Sequence, residues 1–256
     1  MDNEYKLEEI YYNPKDPGSY GGVERLYRRA ASDKVPLSRE AIKHFLSQQR
    51  AYSLHKPVRK QFVRNKTFVG GIDKQWQADL ADMQRISKHN DGVKYLLTVI
   101  DVFSKYAWAV PVKQKSAAAV TEAFKRLFRR ETERRPERLQ TDKGKEFLNK
   151  NVQELLKQLG IKHFWSSSDQ KAAIAERFNR TLKTRIWTWL SAQQQSRYID
   201  NLQDFLNSYN NSFHRSIGMP PADVRKNTKI KYGSACMMEM VALQLKKAFQ
   251  LGRKFE

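Results

Sequence analysis

Between residues 71 and 224 the apolar pattern switches repeatedly between strand-like and helix-like periods, and that order limits the folds open to the chain. Trp76-Gln-Ala-Asp79-Leu-Ala, Lys94-Tyr-Leu-Leu-Thr-Val-Ile-Asp101 and Tyr106-Ala-Trp-Ala-Val-Pro-Val112 read as an antiparallel meander, rich in β-branched and aromatic residues. Ser116 is placed to cap a helix running to about Arg130, with Val120, Phe124, Leu127 and Phe128 on its inner face. Pro136-Glu-Arg-Leu-Gln-Thr-Asp142 is then a strand reached by a crossover, so it should lie parallel to a neighbour. A helix from Leu148 to Leu159 stops at Gly160, and Ile161-Lys-His-Phe-Trp165 is a fifth strand. After the polar loop Ser166-Ser-Ser-Asp-Gln170 come a long helix, about Ala172 to Leu190, and a last one, Ser196 to about Ser212.

The order βββαβαβαα is that of an RNase H-like domain, an α/β fold with a mixed five-stranded sheet flanked by helices. Four segments are expected: a small helical N-terminal region over 1–56, a basic linker over 57–70, the catalytic core over 71–224, and a basic C-terminal tail over 225–256. In the first, Gly22–Ala31 and the stretch opened by Ser38 read as helices, with Ile42, Phe45 and Leu46 at helical spacing. They could form a DNA-binding domain or an arm packed on the core. In the tail, Met237–Leu251 reads as a helix.

A net charge of +21, spread along the whole chain, points to a polyanionic partner, although a ribosomal-type basic surface would look the same. Cys236 is the only cysteine, so these residues offer no intrachain disulfide and no Cys₂His₂ zinc module. No apolar run approaches the roughly 20 residues of a membrane span, and Met1-Asp-Asn-Glu4 does not open a signal peptide. An intracellular protein with no membrane partner is expected.

Three acids stand in settings that could bring them together: Asp79 in the first strand, Asp142 at the end of the fourth, and Glu176 early in the long helix. Mg²⁺ and Mn²⁺ take oxygen ligands, and two such ions can clamp the attacking and leaving oxygens of a phosphodiester. Taken singly, each acid has a plainer reading as a turn, cap or dipole-complementing residue. Asp82 falls on the opposite strand face from Asp79, Asp101 belongs to a turn, and Asp169 lies in the polar loop. Glu176, Asn179, Arg180 and Lys183 share one helical stripe, which suits a metal ligand followed by phosphate contacts and equally suits a solvated face.

Trp76-Gln-Ala-Asp79, Thr141-Asp142-Lys-Gly-Lys-Glu-Phe147 and Ala175-Glu176-Arg-Phe-Asn179-Arg180-Thr-Leu-Lys183 resemble the three signature blocks of the retroviral-type DDE integrase core. Tyr209-Asn-Asn-Ser-Phe-His214-Arg-Ser-Ile-Gly218-Met-Pro220 is similar to that family's closing helix and turn. Tyr11-Tyr-Asn-Pro14, Gly21-Gly-Val23 and Leu54-His-Lys-Pro57 look most like the integrases of Maverick/Polinton-type DNA transposons. The resemblance implies Asp79, Asp142 and Glu176 as catalytic and metal-binding residues for two divalent ions, Mg²⁺ or Mn²⁺. It implies DNA contacts at Asn179, Arg180 and Lys183, to which the basic linker adds Lys56, Arg59 and Lys60. Retroviral integrases carry a His₂Cys₂ zinc domain that this chain cannot build, so no zinc is expected. The implied activity is DNA integration by a polynucleotidyl transferase that nicks element ends and joins the 3′-OH to target DNA. The implied form is a homo-oligomer on DNA, in the nucleus of a eukaryotic host. The rival readings are an RNase H-like nuclease without strand transfer and a catalytically inactive, transposon-derived DNA-binding protein.

Overall fold

The structure, a computed structural model, describes residues 2–55, 69–165 and 172–225. Strands β1 (Trp76–Asp82), β2 (Tyr95–Asp101), β3 (Ala107–Val112), β4 (Arg138–Thr141) and β5 (Lys162–Trp165) form one sheet in the order β3-β2-β1-β4-β5. β1 to β3 pair antiparallel, while β4 lies parallel to both β1 and β5. The parallel strands are reached through α5 (Ala117–Arg130) and α6 (Lys150–Gln158), because a tight turn cannot reverse a chain into a parallel neighbour. The expected mixed five-stranded sheet, flanked by helices in the order βββαβαβαα, is the fold observed.

Local chemistry sets the helix ends. Ser116 Oγ accepts from the Ala119 amide, Asn149 Oδ1 accepts from the Val152 amide, and Gly160 takes φ +71° just beyond α6. The last helix is shorter than its apolar spacing suggests. A 3₁₀ turn at Ile199–Asn201 precedes α8 (Leu202–Asn210). The cause is distant in sequence: Asn90 Oδ1 accepts from the Tyr198 and Ile199 amides, and its Nδ2 donates to the Ser196 carbonyl. Asn90 thereby takes the Ser196 carbonyl, which an α-helix begun there would bond to the Asp200 amide.

Strand alternation divides the core in two. Trp76 and Ala78 of β1, Leu97 and Val99 of β2, and Trp108 and Val110 of β3 face α5 and α6. On the other face, Ala81, Leu96, Ile100, Ala107 and Ala109 meet α7 (Ala173–Ala192) and α8. The alanines of β3 let α8 approach closely, and Asn210 then bonds both the amide and the carbonyl of Ala107, at 2.9 and 3.0 Å.

The N-terminal helices α1 (Asp2–Tyr12), α2 (Val23–Ser32), α3 (Arg39–Gln48) and α4 (Arg50–His55) pack on that second face. Leu7, Tyr11, Leu26, Ile42, Phe45 and Leu46 share one cluster with Phe178, Leu182 and Tyr209. The described helices thus pack on the core. The linker residues 56–68 and the predicted helix Met237–Leu251 lie outside the described residues. No described helix is long and apolar enough to cross a membrane.

Candidate active site

Asp79 sits mid-strand in β1, which is central in the sheet and tied to β2 over its whole length. Its Oδ1 accepts from the Leu80 amide at 2.8 Å and its Oδ2 from Asn179 Nδ2 at 2.8 Å. Burial raises its pKa above the ordinary aspartate value. The Leu80 amide opposes that rise, the negative charges of Asp142 and Glu176 add to it, and Lys115 opposes it. The three acids, from two strands and a helix, therefore share one electrostatic neighbourhood.

Asp142 follows β4 directly and is exposed. Its Oδ1 accepts from the Gly144 amide at 3.2 Å, a short Asx turn. The loop is anchored from below: Phe147 is fully buried in the α5–α6 core, and buried Glu146 pairs with Lys115 at 2.8 Å. A Cβ on Gly144 would sit 2.6 Å from the Glu146 carboxyl, so glycine is what lets Glu146 tuck under the loop. His163 holds the strand side. Its Nδ1 lies 2.6 Å from Gln153 Nε2, its Nε2 lies 3.0 Å from Thr141 Oγ1, and Thr141 donates to the Asp142 carbonyl. That donor order requires a neutral imidazole protonated at Nε2, consistent with burial lowering the His163 pKa.

Glu176 is exposed in the first turn of α7. A buried glutamine relay sets where that turn lies. Gln77 Oε1 accepts from the Ile174 and Ala175 amides, both at 3.0 Å. Its Nε2 donates to Gln140 Oε1 at 3.0 Å, which also accepts from Gln75 Nε2 at 2.9 Å. Gln77 and Gln140 each stand two residues before an acid, Asp79 and Asp142, and the amides that Gln77 holds belong to the turn that carries Glu176. Side chains on β1 and β4 thus register all three acid-bearing elements.

The structure separates the remaining predicted residues. Asn179, expected at DNA, is only 8% exposed and donates to Asp79, so it has little surface for a phosphate. Arg180 is exposed and Lys183 partly so. Lys56, Arg59, Lys60 and Asp169 lie outside the described residues. Asp82 is exposed and accepts from the Gln84 amide, and buried Asp101 binds Ser104 and Arg134, so both have structural partners. Sequence reading missed Gln77, Gln140, Lys115 and Glu146. Apart from Lys115, they lie in or beside the quoted acid blocks, but only the fold reveals their partners.

Among the described residues no three acidic, histidine or cysteine side chains are close enough to enclose an ion. The donor set still suits a divalent cation. It consists of carboxylates only, two of them exposed, and the third is made harder to ionise first by burial and then by the two other acids.

Residues 72–171 match the family model of the integrase core domain. A putative uncharacterized transposon-derived protein of Caenorhabditis elegans, F54H12.3, is 41% identical over 144 residues, which cover 56% of this chain and 50% of that protein. The retrovirus-related Pol polyprotein from transposon TNT 1-94 of Nicotiana tabacum is 33% identical over 102 residues, 39% of this chain and 8% of the polyprotein. The chain thus spans half the length of the first relative and a small part of the second. Among solved structures, a chain of the simian T-cell lymphotropic virus intasome in complex with the PP2A regulatory subunit B56 gamma superposes with a TM-score of 0.56 at 16% identity. The superposition covers 84% of this chain and 75% of that one, and it shows shared fold.

Proposed function

We propose that this chain is a divalent-metal-dependent polynucleotidyl transferase that nicks DNA near the ends of a mobile element and joins those ends to target DNA. The observation that carries the reading is the glutamine relay that ties the Asp79 strand, the strand before Asp142 and the helix turn of Glu176 together, in a chain whose residues 72–171 match the integrase core domain. Asp79, Asp142 and Glu176 would hold Mg²⁺ or Mn²⁺. When bound, such ions acidify water and neutralise charge developing on phosphodiester oxygens. Asn179 fixes one Asp79 oxygen, the Gln77–Gln140 relay fixes the helix turn of Glu176, and Arg180 and Lys183 face the DNA. In the first reaction the oxygen of water bonds to phosphorus, the P–O3′ bond breaks, and the departing oxygen takes a proton to become a 3′-OH. In the second, that 3′-OH loses its proton as its oxygen bonds to a target phosphorus, and the target's own 3′ oxygen leaves. Joining two ends at nearby phosphates calls for at least two protomers on DNA. The Maverick/Polinton kind of element, with action in a eukaryotic nucleus, completes the proposal.

The test is a strand-transfer assay with candidate terminal DNA, a plasmid target and Mn²⁺, run on the parent chain and on Glu176→Gln. Joined product from the parent, lost in the variant with DNA binding intact, is the expected result, since the amide keeps the shape and removes the anionic ligand. Nicking without joining identifies a nuclease. Binding without either reaction identifies a DNA-binding protein, and full activity in Glu176→Gln overturns the site.

A further inference from the structure

A groove of about 980 Å³ opens between α2 and the segment after α8, with Arg25, Arg28, Arg29 and Arg215 in its lining. The one carboxylate in that lining, Glu24, is engaged by Arg39 at 2.8 Å. Arg29 is paired with Asp16 and Asp33, and Arg28 lies over the Phe213 ring at 3.8 Å. Among the described residues Arg25 and Arg215 form no ion pair. Gly21 lets the Arg25 stem cross the chain there, since a Cβ would stand 2.6 Å from Arg25 Cδ.

Beneath the groove lies a fifth arginine. Arg185 of α7 is 2% exposed and donates from Nη1 to Ser208 Oγ at 2.7 Å and from Nη2 to Ser212 Oγ at 3.0 Å, while its Nε is buried without a partner. Ser212 is itself part of the groove lining. Burial, with Arg25 adding to it, pushes the Arg185 pKa well below the ordinary arginine value. Burial first, then Lys105, Arg177 and Arg25, lower the His214 pKa to about 4, and Arg177 is the residue after Glu176. Asp101, the acid that acts on Lys105, is already bonded to Arg134 and Ser104. Cations withdrawn from water without anions are costly, and an anion at the open side of such a cluster relieves that cost.

We infer that this groove binds a backbone phosphate of a DNA strand that passes the carboxylate site, with Arg25 and Arg215 receiving the phosphate oxygens. The inference rests on the DNA reading above, and the groove itself selects the chemistry. Guanidinium forks match the oxygens of a phosphodiester, and α7, the helix that carries Glu176, also carries Arg185, bonded to Ser212 of the groove lining.

The experiment is fluorescence anisotropy of a labelled DNA duplex with the full chain in EDTA, across a salt series. The parent chain is compared with Arg215→Ala, whose side chain is exposed on a loop, and with Arg25→Ala/Arg215→Ala. Each lost phosphate contact should reduce the salt slope by about one, and the double variant should bind about tenfold or more weakly near 100 mM salt. In parallel, NMR titration of His214 should show its pKa moving up from about 4 when duplex is added to the parent, and staying in place in the double variant. Parental affinity and slope in Arg215→Ala and in the double variant overturn the inference, as does a His214 titration that duplex does not move. If the double variant melts early, Arg215→Ala and the parental His214 shift decide. No metal or turnover enters these measurements, so a failure of joining and a failure of the groove are told apart.

Discussion

Both oxygens of the Asp79 carboxylate carry a neutral donor, the Leu80 amide on one and the Asn179 amide on the other. Neither donor supplies charge, so the carboxylate is aimed without being neutralised, which suits the metal-holding role proposed for it. Asn179 has its own loose end, a buried Oδ1 without a partner. Replacing it with alanine should free Asp79 to swing, costing about 10–100-fold in nicking rate, the range usual for groups that orient metal ligands, and raising the Mn²⁺ concentration needed for half-maximal activity. DNA affinity should change little. A fall in affinity with an unchanged Mn²⁺ requirement would instead return Asn179 to the DNA-contact role suggested by its helical stripe.

β1 carries Asp79, β4 leads directly into Asp142 and α7 carries Glu176, and the glutamine relay joins these three elements through Gln77 and Gln140. The first amides of a helix have no partners within it, so Gln77 acts as a remote cap for α7. Gln77→Ala should cost on the order of 1–3 kcal/mol in urea unfolding, because it leaves buried groups unsatisfied. Gln77→Glu, which can still accept from Ile174 and Ala175 but cannot donate to Gln140, separates the two halves of the relay. Its unfolding should fall between parent and alanine if the helix cap dominates. The elements themselves were legible from sequence wherever period and caps agreed, as at Ser116, Ser38 and Gly160. The start of α8 was not, since Asn90 disrupts it from across the chain. Nor was the role of Asn179, because a helical stripe shows which residues share a face and not that Asp79 waits opposite.

The folded unit extends beyond the segment that matches the integrase core. Residues 72–171 contain all five strands but exclude α7, α8 and α1 to α4, which supply most of the second core. Apolar spacing at Ile42, Phe45 and Leu46 showed that the N-terminal helices bury a face, but not against which surface. At about 1.5–3 kcal/mol per buried large apolar side chain, losing Tyr11, Leu26, Ile42, Phe45 and Leu46 together would rival the whole stability of a typical domain. A chain begun at residue 69 should therefore bind a hydrophobic dye and lose its cooperative thermal transition. A sharp melt at the parental temperature would show that the sheet and α7 suffice alone.

The bonds that close the N-terminal layer also impose an order on synthesis. Ser19 meets Ser208 at 3.0 Å, and Ser212 donates to the Pro17 carbonyl at 2.7 Å, across nearly the full described length. At roughly 5–20 residues per second, translation separates these partners by about ten to forty seconds. These N-terminal helices thus leave the ribosome well before α7 and α8 can cover their apolar faces.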